Sequence, residues 1–377
     1  MKIIKITLKE EQINAACKVI GFASEKILGF DRFQNELAIK LSDDADIPKI
    51  TENIKAVLKS ACNMAMVDVL YNNTSSVFYH SYDEIYESRL VSKISDGLIG
   101  LHNDAVFLFD YFDNIFSSYA KNVGCIEKKY PVLLPLLSYK KTGYLKRTPQ
   151  YSIFCCELEE NIDRIKDIND RDSYVDVLHE PHNVLSPSAC FHVYDDIEKA
   201  TLPASQSYTL KQAVFRNEGR FNWNEYGRLK SYTIRELVFI GDQRYVRDAL
   251  LVVRKKVEHF LSELDLVSNI QSSSDSFILP EMGIIGKIQL IEGSKYEVKI
   301  NTNVQESLAC ASFNFHGVSF SKSFEFKVKD IDTTVSGCIG FGLERWVLAF
   351  LCQYGIDSKS WPSQVQEYIF RRKLEIT

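Results

Sequence analysis

The sequence predicts an α+β fold, an antiparallel sheet flanked by helices with a small α/β unit ahead of it. Three observations lead there. Strand-like and helical pieces alternate with long loops from about residue 150 to 345, the chain opens on a β-branched run, and it nears its end on an apolar helical run, LERWVLAFLCQYG (343–355).

KIIKITL (2–8) is rich in β-branched residues and reads as a strand, followed by a helical pattern to about Leu28. LAIKL (37–41) reads as the second strand, and Ile50, Ile54, Val57, Leu58 and Ala61 recur at helical spacing. A boundary is placed near SYDEIYESRL (81–90), giving a small appended unit over 1–90 and a larger one over 91–377. The larger unit begins with a helix through Phe107, Phe109, Phe112 and Phe116. Prolines at 131, 135 and 149 forbid a continuous helix over 128–151 and favour an extended strand with turns. QSSSDSF (271–277) is a polar break, and the IGKIQLI and KYEVKI segments beyond it are predicted as antiparallel strands with a turn at Glu292-Gly293. The run from Leu343 is predicted to be an amphipathic helix stopped by Gly355.

Composition excludes several function classes. With 45% hydrophobic and 25% charged residues the chain is an ordinary globular one. MKIIKITLKEEQ is too short and too charged for a signal peptide, and no apolar run approaches the ~20 residues of a membrane span, so a cytoplasmic location is expected. Nine irregularly spaced cysteines do not form a disulfide framework. The net charge is -5, and residues 1–90 carry eleven Lys and Arg against thirteen Asp and Glu, so no basic arm is present to hold a nucleic acid backbone.

Two segments carry chemistry. In AVFRNEGRFNWNEYGRLKSYTIRELVFIGD (213–242) a strand is predicted to deliver Arg216 and Glu218 on one face, and a second strand Arg228, Tyr232 and Glu236 in even register. Arginine suits a phosphate through its planar fork, an acid can fix that fork or accept from an exocyclic amine, and a tyrosine ring can pack against a purine. A lone F-R-x-E recurs by chance in solvated strands; its pairing with the G-x-G-x-E-R string at Gly340–Arg345 shifts the balance.

In these segments the sequence resembles the class II aminoacyl-tRNA synthetase catalytic domain. Phe215-Arg216-Asn217-Glu218 is similar to that family's second motif, Gly340–Arg345 to its third, and the stretch around Tyr130, Pro131 and Pro149 to its degenerate first. The resemblance implies a sheet that binds ATP in a bent shape. Arg216 would grip the α-phosphate, Arg345 would lie over the adenine near the γ-phosphate, Glu218 would sit at the adenine edge, and Tyr232 would stack beneath it.

VLSPSACFHVY (184–194), YTIRELV (232–238) and SGCIGFGLERW (336–346) resemble, more narrowly, the zinc-dependent seryl-type branch shared by archaeal-type seryl-tRNA synthetases and amino acid:carrier-protein ligases. The resemblance implies Zn²⁺ on Cys190, Glu236 and Cys338. Two thiolates and a carboxylate are acceptable zinc ligands, and three protein ligands leave an open corner that an α-amine can fill. Cys190 and Cys338 read equally as small buried residues when each is taken alone. His192 makes a C-x-H pair that on a strand resembles a metal pair, and it ranks below Glu236. By the same resemblance Glu306 is the candidate for Mg²⁺ on the ATP phosphates, and Asn314 and His316 are candidates for the aminoacyl pocket.

The expected activity is formation of an aminoacyl adenylate and transfer to the phosphopantetheine thiol of a carrier protein, by a homodimer. GLIGLHNDAVFLF and KTGYLKRTP resemble the carrier-protein ligases more than the tRNA enzymes. An unusual aminoacyl-tRNA synthetase and a non-catalytic synthetase-like binding protein are the alternatives.

Overall fold

A computed structural model of the chain describes residues 1–61, 67–223, 225–275 and 277–376. The N-terminal unit consists of β1 (Lys2–Thr7), α1 (Glu10–Val19), β2 (Ile27–Arg32), β3 (Glu36–Leu41) and α2 (Ile47–Ala61), with β3 between β1 and β2 and antiparallel to both. Its own core gathers Ile13, Ala16 and Ile20 from the first helical segment, Leu37 and Ile39 from the sheet, and Ile50 and Ile54 from α2. The first helix is shorter than its pattern suggests. Ile20–Ala23 tightens into a 3₁₀ turn, Ser24 is extended, and the chain re-enters the sheet as β2, so LAIKL is the third strand. Ala23 and Ile27 keep a helical interval across that break because both face the same core.

The larger sheet has eight strands: β4 (Val69–Asn73), β5 (Ile126–Glu127), β6 (Gln206–Phe215), β7 (Ser231–Gly241), β8 (Ser268–Ser272), β9 (Lys295–Asn301), β10 (Ser307–Gly317) and β11 (Val335–Gly342). They lie in the order β4-β8-β9-β10-β11-β7-β6-β5, antiparallel except for the β5–β6 pair at one edge. Because β4 pairs with β8, residues 69–73 belong to this sheet and not to the N-terminal unit, contrary to a boundary near residue 90.

One face of the sheet is covered by α3 (Asp104–Asn122), α5 (Gln243–Glu263) and α7 (Leu343–Tyr354), while the short α4 (Cys190–Asp196) precedes β6. Phe112, Phe116, Phe260, Trp346 and Phe350 interlock there, and Phe116 stacks on Phe341 of β11 with ring centroids 4.0 Å apart. Phe341 and Ile339 thus point to the helices, and Cys338 and Gly340, between and beside them in the pleat, point to the opposite face. That alternation is what exposes β11 to the cleft. α7 is buried nearly all round instead of amphipathic, and it ends at Gly355, whose φ is +72°.

Two further expectations are corrected. IGKIQLI is not a strand but most of α6 (Gly283–Ile291), and Gly293, at φ +56°, is its left-handed stop, so the anticipated hairpin turn is a helix terminus. A short apolar run fits a strand and a buried helix equally by period. Between 128 and 151 the chain forms only a three-residue strand, Leu133–Pro135, and then helical turns at Leu136–Lys141, Tyr144–Arg147 and Pro149–Tyr151. Pro135 and Pro149 stand at the starts of these turns, where a missing N–H costs nothing.

Candidate active site

A cleft of about 950 Å³ lies on the face of the sheet away from the helices. Its floor is formed by alternate residues of three adjacent strands. Tyr232, Ile234 and Glu236 come from β7, Cys338, Gly340 and Gly342 from β11, and Ser312 and Asn314 from β10. The register puts Glu236 opposite Gly340 and Cys338 opposite Asn314, so these side chains share one face. Gly340 has a local reason to be glycine: a Cβ there would come 2.8 Å from Glu236 Oε2.

At one end, ligand atoms of Cys190, Glu236 and Cys338 all lie within 4.8 Å of one another, and all three residues are buried. Cys190 arrives from the first turn of α4, not from a strand. His192, two residues on, is therefore rotated about 200° away around that helix. It stacks on Tyr130 at 5.8 Å and does not line the cleft. Burial pushes its imidazole down to about 4. Burial pushes the Glu236 carboxyl up to about 7, against hydrogen bonds from Cys338 and Cys190 and the field of Arg216. The Cys338 thiol is also raised, first by its hydrogen bond with Cys190 and then by burial. Among the described residues Glu236 makes no ion pair. Tetrahedral zinc with these ligands needs roughly 3.5–3.8 Å between ligand atoms. The donor set and its burial fit such an ion.

Asn314 and His316 adjoin this cluster. Asn314 Nδ2 lies 3.7 Å from Cys338 Sγ and donates to Ser312 Oγ at 3.1 Å. His316 sits with Nε2 3.7 Å from the same sulfur and Nδ1 3.1 Å from the Tyr194 hydroxyl.

The other end is cationic. Arg216 and Glu218 are not strand neighbours as predicted: β6 ends at Phe215, and both residues stand in the loop that follows, as does Arg228 just before β7. The loop nevertheless brings them together. Arg228 donates to Glu218 Oε2 at 3.1 Å and to both Glu225 oxygens, and Arg345 Nη2 lies 4.0 Å from Glu218 Oε1. The Arg345 guanidinium covers the Tyr232 ring at 4.6 Å. That ring face therefore carries an arginine where a purine stack was expected. Arg216 is held by Nε donation to the Pro187 carbonyl at 2.9 Å, and Arg345 Nε is buried without a partner among the described residues. Both arginines retain donors for an anion.

Glu306 is not in the cleft. It lies in the turn between β9 and β10, where Tyr82 Oη and Asn303 Nδ2 donate to it at 2.8 and 2.7 Å. Its neighbour Ser307 lines the cleft, and the acids that line it near the arginines, Glu218 and Glu225, are engaged by Arg228.

A third charged group lay outside the sequence reading. Lys295 bridges Asp275 at 2.7 Å and Glu297 at 3.3 Å, and Gln289 of α6 donates to Asp275 at 2.8 Å. Burial disfavours the Asp275 anion, but Lys295 and Gln289 outweigh it and hold the carboxyl well below its usual range. The alternation K-Y-E-V-K-I in 295–300 was the available signal, with Lys295, Glu297 and Lys299 all on the cleft face.

The N-terminal unit reaches the cationic end. Arg220 of the loop donates to the Ser24 and Ile27 carbonyls at 2.7 and 3.0 Å, Asn222 to the Lys18 carbonyl at 2.9 Å, and Lys18 pairs with Glu225 at 3.3 Å. Phe221 packs edge-on against Phe30.

This architecture is the class II synthetase fold. The chain superposes on the M. kandleri SerRS solved in complex with A. aeolicus tRNASec with a TM-score of 0.70 at 18% identity, over 92% of this chain and 74% of that one. For the Pyrococcus horikoshii seryl-tRNA synthetase complexed with ATP the TM-score is 0.58 at 11% identity, covering 79% and 64%. In sequence the chain is 26% identical over 280 residues to a type-2 serine–tRNA ligase of Methanococcus maripaludis, spanning 70% of itself and 54% of that protein. It is 24% identical over 318 residues to amino acid–[acyl-carrier-protein] ligase 1 of Bradyrhizobium diazoefficiens, spanning 81% of itself and 88% of that protein. Type-2 seryl-tRNA ligases and an amino acid–[acyl-carrier-protein] ligase are thus homologues of this chain, which spans about half the length of the tRNA ligases it matches. No protein-family model matches it. No helix among the described residues is long and apolar enough to cross a membrane.

Proposed function

We propose that the chain is an ATP-dependent, AMP-forming amino acid ligase that passes its activated acyl group to the phosphopantetheine thiol of a carrier protein. The observation that supports this most directly is the pairing, in one cleft, of a buried Cys-Glu-Cys cluster with a separate arginine clamp. In the first step an amino acid carboxylate oxygen bonds to the α-phosphorus of ATP, the bond to the bridging β-oxygen breaks, and pyrophosphate leaves. In the second a thiolate sulfur bonds to the acyl carbon, AMP departs with the carboxyl oxygen, and the thiol proton goes to solvent.

Arg216 and Arg345 offset the negative charge that gathers in the first step at the phosphoryl oxygens, with no reorganisation needed because Pro187 and Tyr232 already hold them. Glu218 and Arg228 fix the Arg345 side of the clamp. Cys190, Glu236 and Cys338 would hold Zn²⁺, which when bound offers a Lewis-acidic corner for a neutral α-amine. Asn314 steadies the Cys338 sulfur beside it. The resemblance to the seryl-type branch favours a small side chain such as that of glycine, alanine or serine.

The carrier-protein acceptor is favoured over tRNA by the extent of the match, 88% of the carrier-protein ligase against 54% of the tRNA ligase. Amino-acid-dependent pyrophosphate exchange over all amino acids, with Zn²⁺ and Mg²⁺ saturating, tests the first step. Exchange with a small amino acid is expected, and none with any amino acid would overturn the proposal. Offering the preformed adenylate to tRNA and to a phosphopantetheinylated carrier then decides the acceptor.

A further inference from the structure

Among the described residues of the N-terminal unit, Lys18 alone lines the cleft. It stands in the last turn of α1, and its backbone is fixed there by the loop that follows β6. Asn222 donates to the Lys18 carbonyl at 2.9 Å, and Arg220 donates to the Ser24 and Ile27 carbonyls just beyond. Two rings lock the same junction. The Phe221 ring lies so close over Gly21 that a Cβ there would come 2.7 Å from it, and the Phe22 ring lies as close over Gly219. Neither position has room for a side chain, so the two units interdigitate at backbone range. Phe221 and Ile278, the latter from the segment after β8, both pack on the core of the N-terminal unit. The starting point of the Lys18 side chain is therefore set by the loop that carries Arg216 and Arg228.

The charge gathered at this junction is unbalanced. Lys18 Nζ lies 3.3 Å from Glu225 Oε1, yet both Glu225 oxygens already accept from Arg228 at 3.1 Å. Arg228 also reaches Glu218, which Arg345 approaches at 4.0 Å. The two carboxylates thus face Lys18, Arg228 and Arg345, and Arg216, held by a carbonyl, adds a further cation to the same end of the cleft. The Lys18 side chain is 47% exposed, so its ammonium keeps donors open to the cleft. A surplus of positive charge in a cleft suits a polyanion from outside.

We propose that Lys18 binds the outer phosphates of ATP, so that the nucleotide site of this chain is completed by its N-terminal unit. The inference rests on the ligase reading of the cleft. Arg216 is the arginine whose field reaches Glu236, and it is tied to Pro187, three residues before Cys190. It therefore stands at the end of the clamp where the amino acid carboxylate meets the α-phosphorus. Lys18 stands farther out, beyond Arg228 and Glu225, where the β- and γ-phosphates extend. Because α1 presents Lys18 to the cleft only when docked on the loop, docking and phosphate binding are linked. ATP tightens the junction by the same factor by which the docked unit tightens ATP.

The test titrates the full chain with ATP and with AMP by calorimetry, with Mg²⁺ present and no amino acid. Lys18→Ala is expected to weaken ATP binding about tenfold and to leave AMP binding, bound zinc and melting temperature near wild type, while Lys18→Arg keeps most of the ATP affinity. Saturating ATP should slow amide hydrogen exchange in α1 of the wild-type chain and not in Lys18→Ala. Equal ATP affinity in the wild type and Lys18→Ala, or equal losses for ATP and AMP, would overturn the inference and leave the ligase reading standing. Failure of the wild-type chain to bind ATP at all would overturn both.

Discussion

Arg235 and Glu236 are neighbours on β7 that point to opposite faces of the sheet, exposed to only 5% and 2%. On the helix side Arg235 donates to both Asp113 oxygens at 2.8 and 3.2 Å and to Glu127 at 2.7 Å, and Lys211 joins Asp113 at 3.0 Å. On the cleft side Glu236 faces two thiols and a glycine. Burying a charge without a partner is costly, so a buried ion whose partners all come from the fold belongs to the scaffold. A buried carboxylate between two thiols is complete only with a proton or a cation from outside. The same strand therefore carries a finished interaction on one face and an unfinished one on the other, and the unfinished one marks the site.

The largest expected effect breaks the finished side. Asp113→Ala leaves Arg235 buried with only the half-exposed Glu127, and is expected to cost about 3–5 kcal/mol in urea unfolding, with zinc stoichiometry unchanged in the fraction that remains folded. A cost below about 1 kcal/mol would mean that solvent reaches this pair.

Arg345→Ala tests the cationic end. It should lower pyrophosphate exchange by about 10²–10³-fold while metal content and melting temperature stay near wild type, because the lost donors act on the phosphates. An equal loss of bound zinc would show that the two ends of the cleft are not separable.

Glu236→Gln should behave oppositely to Asp113→Ala. Glu236 is raised from 4.5 to about 7, so the metal-free folded chain holds its proton more tightly than the unfolded chain does. Its contribution to stability is therefore full below the unfolded value and disappears as pH rises through about 7. A decline on the order of 3 kcal/mol is expected between pH 4.5 and 8 in metal-free urea melts. Glu236→Gln should flatten that slope and weaken zinc binding by roughly 100-fold or more. An unchanged slope would assign the pH dependence to other groups.

The smallest effect concerns the reach of the N-terminal unit. Arg220→Ala removes two carbonyl contacts and an exposed pair with Glu25. About 1 kcal/mol is expected, read as roughly fivefold weaker half-saturation by ATP in the exchange reaction with little change in maximal rate. No change would mean that the loop carrying Arg216 and Arg228 holds its shape without that clasp.

Much of the site was legible because each element is short-range. Tyr232 and Glu236 share a face by strand period alone, and Arg345 follows a glycine pair at the start of a helix. Arg216, Glu218 and Arg228 were correctly grouped but for the wrong reason, since a loop and not strand alternation gathers them. IGKIQLI failed because its apolar run has no decisive period. The surroundings of Glu306 were not legible, because a carboxylate one residue before a strand gives no sign of which way the turn faces; Tyr82, more than two hundred residues earlier, donates to it.

The sequence by itself determined the residue types of the site and the shared face of Tyr232 and Glu236, since these depend on residue chemistry and on a strand period of two. Only the tertiary structure decided that Cys190, Glu236 and Cys338 meet, that His192 turns away and that His316 approaches. Those outcomes depend on sheet register, on the helical phase of α4 and on a one-residue bulge, and each is set by packing between segments far apart in the chain.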